Sequence, residues 1–173
     1  MNTPLTRTPL RPALYSLSLA LILGLSACAT NPERNAMLQQ ADSVLLQAQS
    51  RSGLQMVVRP DTLTIGQELQ LQVSTSRPGY LYIYQIGTEQ SLSLVFPNAM
   101  DGANYLKAGT YQLPNPSWLM RARGPAGVGY FMAVLTQQPQ NLMTLQADVQ
   151  RGLIQPPQPY AAALSTVREI APR

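Results

Sequence analysis

The sequence predicts a mainly β protein, an antiparallel β-sandwich or small barrel preceded by one N-terminal helix. Three observations carry this. From Leu54 onward, apolar residues alternate with polar ones at a period of two, as in Leu69, Leu71 and Val73 between Gln70, Gln72 and Ser74. Short apolar runs are separated by Gly and Pro turns at close spacing, the pattern of a sandwich or barrel. Upstream, Met37, Ala41, Val44, Leu45 and Ala48 recur at helical spacing.

The chain begins with the layout of a bacterial export signal. Arg7 and Arg11 supply positive charge, and Ala13 to Leu25 is an uncharged apolar stretch too short for a comfortable membrane span. Leu25-Ser26-Ala27-Cys28 then resembles the bacterial lipobox, in which the cysteine sulfur takes the lipid. Residues 1–27 are expected to be the signal peptide and Cys28 the lipidation site. Acyl chains bury many CH₂ groups at about 0.8 kcal/mol each, enough to hold the protein on a membrane. Ala29 stands where the sorting rule for lipoproteins places an aspartate for inner-membrane retention, so the resemblance implies the outer membrane and its periplasmic face.

Asn31-Pro32-Glu33 has the order of a helix start, and Gly53 a plausible stop, so 32–51 reads as an amphipathic helix within a lipid-anchor and spacer segment, 28–53. Leu54 to Val58 is a strand ended by Arg59-Pro60-Asp61, and Leu63 and Ile65 precede a Gly66 turn. After Arg77-Pro78-Gly79, the run Tyr80 to Ile86 is apolar on both faces and reads as a central strand. Gly87-Thr88-Glu89-Gln90 turns the chain into Ser91 to Phe96, its hairpin partner. Tyr105-Leu106, Thr110 to Leu113, Trp118 to Arg123 at an edge, and Gly129 to Thr136 follow as further strands. The domain is thus set at 54–136. The Gln- and Pro-rich tail, 137–173, holds a helical stretch at Leu142, Leu145 and Val149, while 161–170 is ambiguous between helix and strand.

Tyr80-Leu81-Tyr82-Ile83-Tyr84, Leu94-Val95-Phe96-Pro97-Asn98, Lys107-Ala108-Gly109-Thr110-Tyr111-Gln112-Leu113-Pro114 and Gly124-Pro125-Ala126-Gly127 together resemble the bacterial domain-of-unknown-function family numbered 4384, over about 54 to 136. Tyr160 to Ile170 looks like that family's closing strand, which favours strand there. The resemblance implies a β-rich extracytoplasmic or ligand-sensing module and transfers no catalytic residues.

Composition removes many chemistries. With His 0 and Cys 1 there is no Ser-His-Asp triad, no Cys-His dyad, no HExxH zinc site and no internal disulfide. Removing residues 1–27 takes Arg7 and Arg11 away and leaves a nearly neutral chain of scattered basic residues, which does not suit nucleic acid. Nothing in the sequence asks for a cofactor. The candidate partner-binding residues are the row Tyr80, Tyr82 and Tyr84, which share one sheet face and either hold a sugar or peptide or lie in the core, and Arg121 with Arg123, which either meet an anionic partner or keep an edge strand solvated. Asn98, Asp101 and Asn104 offer oxygens to a cation or, more simply, shape turns. The expected function is therefore a non-catalytic binding or scaffold module of a cell-envelope complex, with an envelope protein or peptidoglycan as partner. The alternatives are a cell-wall hydrolase built from dispersed carboxylates, or a small-ligand sensor.

Overall fold

The computed structural model describes residues 32–50, 52–101, 103–116 and 118–173. The elements run α1 (Pro32–Gln47), β1 (Leu54–Arg59), β2 (Thr62–Thr64), β3 (Glu68–Thr75), β4 (Gly79–Ile86), β5 (Leu92–Phe96), β6 (Tyr105–Leu106), β7 (Gly109–Leu113), β8 (Met120–Arg121), β9 (Gly127–Thr136), α2 (Leu142–Gln150) and β10 (Ala161–Ile170). They form three layers: a four-stranded sheet, a six-stranded sheet and the two helices.

The smaller sheet has the order β1-β3-β7, with β8 sharing the β3 edge that β7 occupies further along. The larger has the order β2-β10-β9-β4-β5, with β6 beside β5 on the same edge of β4. Between those two short partners, Asn104 bridges the edge of β4: its backbone oxygen accepts from Leu81 N at 2.8 Å and its side-chain amide donates to Leu81 O at 3.1 Å. All pairings are antiparallel except that of β2 with β10. The two sheets do not close into a barrel.

Period-two alternation places the core. On β4, Leu81 and Ile83 point between the sheets, where they meet Leu71, Val73, Phe131 and Leu135. Fully burying side chains of this size contributes about 1.5–3 kcal/mol each. Tyr82, Tyr84 and Ile86 point the other way, into a second core that Ala41 and Val44 of α1 and Leu145 of α2 complete. This is why β4 is apolar on both faces: it is central in its sheet and covered on both sides.

The helix drawn over 32–51 is shorter, since α1 ends at Gln47, and it packs on the outer face of the large sheet. The closing strand considered for 137–173 is present as β10, which lies in the sheet interior between β2 and β9, so a boundary at 136 would separate two adjacent strands. The ambiguous segment 161–170 is a strand. Its Ala161 and Val167 belong to the inter-sheet core, and its residues 161–169 are in register with β9.

Candidate binding cleft

One long side of the sandwich is covered by a strap, Trp118 to Gly124, that includes β8. Four sets of contacts hold it. At its start, Asp101 Oδ1 accepts from the indole Nε1 of Trp118 and from Nδ2 of Asn115, both at 3.0 Å, while Asp101 Oδ2 accepts from Asn98 N at 2.9 Å. Along its length Arg121 pairs with Glu68 at 2.8 Å. Ala122 N then donates to Gln67 O, and Ala122 O accepts from Gly66 N, both at 2.9 Å. At its end Gly124 N donates to Oε2 of Glu169 at 2.6 Å. Gly124 has φ +73°, and a Cβ there would lie 2.8 Å from Ile65 Cδ1, so only glycine suits this corner.

The strap leaves a cleft of about 430 Å³ between itself and β5. Ser91 to Val95 form one bank and Trp118 to Arg121 with Arg123 the other, and Glu89, Gln85 of β4 and Glu169 of β10 complete the lining. A second groove of about 600 Å³ lies on the other side of Trp118–Met120, where Arg59, Gln70, Gln112 and Pro114 face it. Leu119, 62% exposed, borders both.

Of the residues singled out from sequence, Cys28 and the whole of the lipobox lie outside the described residues. Tyr80, Tyr82 and Tyr84 do share a face, but that face is the one beneath the helices. Tyr82 and Tyr84 are fully buried, and the Tyr82 hydroxyl accepts from Gln140 N at 2.7 Å, so neither is available to a ligand. A central strand in a three-layer fold has no open face, which is the physical reason the partner-binding reading fails for these two. Tyr80 is half-buried, with its ring 5.1 Å from that of Tyr105 in an edge-on contact. The Tyr84 hydroxyl is buried without a hydrogen-bond partner among the described residues. Burial, with a smaller contribution from Asp148 and then Tyr82, pushes its pKa well above the ordinary tyrosine value.

Arg121 and Arg123 both point outward on either side of buried Ala122 and both line the cleft. Arg121 is occupied by Glu68; Arg123 has no ion-pair partner among the described residues. The oxygens of Asp101 are taken by N–H donors, and the Asn98 side-chain oxygen accepts from Met100 N at 2.8 Å, so this loop shapes turns and anchors the strap. Among the described residues no three His, Cys, Asp or Glu side chains gather as a metal would require.

Sequence reading missed Trp118, Asp101 in its anchoring role, and the meeting of Glu89 with Glu169. The two glutamates are far apart in the chain yet line one cleft. Glu169 is 4% exposed and Glu89 is exposed, with its carboxylate accepting from Ser91 Oγ. Inward parity on β10 was the available signal for Glu169, two residues from core Val167, but it required the strand assignment first.

The chain matches none of the curated proteins compared with it. Among solved structures it is weakly similar to the sulfur carrier protein SoxY from Chlorobium limicola f thiosulfatophilum, at 10% identity and a TM-score of 0.32, over 80% of this chain and 99% of that one. It is similarly distant from Spo0M, a sporulation control protein from Bacillus subtilis, at 10% identity and a TM-score of 0.30, over 70% of this chain and 49% of that one. Residues 62–139, which span β2 to β9, match the family described as Domain of unknown function (DUF4384). The segment that carries the cleft's two banks is thus a domain resembling DUF4384.

Proposed function

We propose that the chain is an outer-membrane-anchored, periplasm-facing lipoprotein whose sandwich acts as a non-catalytic binding module of a cell-envelope complex. The anchor rests on the order of Arg7 and Arg11, the apolar run, the small residues and Cys28. The single observation that supports the binding role is the cleft, which β5 lines on one side and a strap tied down by Asp101, Glu68 and Glu169 on the other. Preorganised banks of this kind suit recognition, since little ordering remains to oppose binding. The occupant we expect is an envelope protein.

The test is to crosslink the full-length protein in cells, recover it through a C-terminal tag and identify what accompanies it by mass spectrometry. An envelope protein that is lost on Leu119→Asp, and kept on a change at the far helical face such as Met143→Asp, supports the reading. A partnerless pool, or recovery of peptidoglycan fragments alone, counts against it. Cys28→Ser is expected to leave unprocessed precursor without acyl chains, and normal processing in that variant would remove the lipobox.

A second reading has one observation in its favour: Glu89 and Glu169 share a cleft, and two carboxylates are what a glycoside hydrolase uses. Against it, Glu169 Oε2 is committed to Gly124 N and Glu89 folds back onto its own turn. Clearing of a peptidoglycan suspension that disappears in both Glu89→Gln and Glu169→Gln would reinstate it.

A further inference from the structure

We propose that one end of the sandwich is a membrane-facing surface, held against phospholipid headgroups by the short tether to Cys28. This rests on the lipoprotein reading and adds to it which face of the domain meets the bilayer.

Three features carry it. The first is the direction of α1. At its start, the Arg34 guanidinium carbon lies over the ring of Tyr130, 5.2 Å from the ring centroid. Just past its end, Gln49 N donates to Pro159 O at 3.4 Å and Ser50 N to Tyr160 O at 2.9 Å. Tyr130 pairs with Ile86, where β4 stops, whereas Ala161 pairs with Leu135, which pairs with Leu81 near the start of β4. The helix therefore runs the same way as β9, and its N-terminus stands at the end of the sandwich where β4 stops and β9 begins.

The second is the length of chain between that N-terminus and the lipid. Cys28 precedes Pro32 by four residues, which reach at most about 14 Å when fully extended. α1 begins near the level of Tyr130, three residues or about 10 Å inside the start of β9 at Gly127. Most of the tether is used in reaching the end of the strands, and the remainder is no longer than one headgroup layer, roughly 5–8 Å thick. The domain cannot stand away from the bilayer.

The third is what gathers at this end. A Cβ on Gly127 would lie 3.5 Å from Thr88 Cβ, so the turn after β4 meets the start of β9. Arg168 N donates to Asp61 O at 2.8 Å and Ile65 N to Ile170 O at 3.0 Å, which brings in the turns on both sides of β2 and the C-terminal residues 171–173. Arg123 and Arg168 are exposed here and have no ion-pair partner among the described residues, Asp61 and Glu89 are exposed on the same end, and Ile170 is 42% exposed. Charges of both signs suit the phosphate and ammonium of a zwitterionic headgroup, while the acyl chains on Cys28 supply the affinity. The cleft's Glu89 and Arg123 then lie at the bilayer, and Trp118 and Leu119 further along β3 from it, so a partner enters past Leu119.

The test uses the acylated protein in vesicles of phosphatidylethanolamine and phosphatidylcholine, a fraction of whose headgroups carry a nitroxide quencher. Acylation occupies the thiol of Cys28, the sole cysteine, so a fluorophore on one introduced cysteine reports one position. Ala126→Cys and Ala171→Cys lie at the proposed surface, Ala108→Cys at the opposite end beyond β6, and Met143→Cys on the helical layer, and all four positions are exposed. Labels at the first two are expected to be quenched, and labels at the last two to stay at the level of quencher-free vesicles. A spacer of about 20 Gly and Ser residues placed after Thr30 spans roughly 25 Å and is expected to abolish quenching at Ala126→Cys while the protein still floats with the vesicles. Quenching at Met143→Cys equal to that at Ala126→Cys would lay the helical layer on the lipid and overturn the surface. Quenching that is unchanged by the spacer, or equal at all four positions, would overturn it as well. A protein that carries no acyl chain by mass and does not float refutes the lipoprotein reading, whereas one that is acylated and floats without quenching at Ala126→Cys and Ala171→Cys loses the surface alone.

Discussion

Replacing Asp101 with alanine removes the acceptor for three donors at once: Trp118 Nε1 and Asn115 Nδ2 at 3.0 Å, and Asn98 N at 2.9 Å. A hydrogen bond to a charged group contributes about 1.5–3 kcal/mol net. The site is only half-buried, so water replaces part of each bond in the variant, and the expected total is about 2–4 kcal/mol, below the simple sum. For a slope of about 2 kcal/mol per molar urea, that moves the unfolding midpoint down by about 1–2 M. The assay is urea unfolding followed in parallel by far-ultraviolet circular dichroism and by Trp118 emission. Because the indole loses its anchor, native-state emission is expected to shift to the red before any unfolding begins. Asp101→Asn, which keeps one carbonyl acceptor and loses the charge, is expected to fall between wild type and alanine. A midpoint within about 0.25 M of wild type, with unchanged emission, would refute the anchoring role of Asp101.

Tyr84→Phe deletes a buried hydroxyl that has no partner among the described residues, and is expected to stabilise the protein by about 1 kcal/mol in thermal or urea unfolding. The Tyr84 pKa is raised in the folded state above its ordinary value of 10.0, so its stabilising contribution is complete below pH 10 and is lost as pH rises through the folded-state value; the phenylalanine variant is expected to lose less stability between pH 10 and higher pH, checked by unfolding across that range. A double-mutant cycle on Glu68→Ala and Arg121→Ala is expected to give a coupling of about 0.2–1 kcal/mol, because both side chains are more than half exposed, and that coupling should shrink in high salt.

Much of the fold was legible in the sequence because its signals are local. Alternation at Leu69, Leu71 and Val73 marked β3, and the doubly apolar run Tyr80–Ile86 marked β4 as central, since a strand covered on both faces needs no polar side. The turn at Gly87–Ser91 joins β4 to β5 over five residues, so their pairing needed no long-range information. The same reasoning could not tell what covers Tyr82 and Tyr84. An aromatic row on one face has the same period whether helices or a ligand lie above it, and α1 and α2 come from opposite ends of the described chain.

The sequence by itself determined where strands and turns occur, because steric preference, period and turn chemistry act over a few neighbouring residues. It also determined the absence of imidazole chemistry, because the chain has no histidine. Only the tertiary structure decided that β10 lies between β2 and β9, that Asp101 reaches Trp118 across 17 residues, and that Glu169 reaches Gly124 across 45. Such contacts form because buried donors must find acceptors and apolar faces must find cover. Which distant segment meets that need depends on the packing of the whole chain, and no local pattern records it.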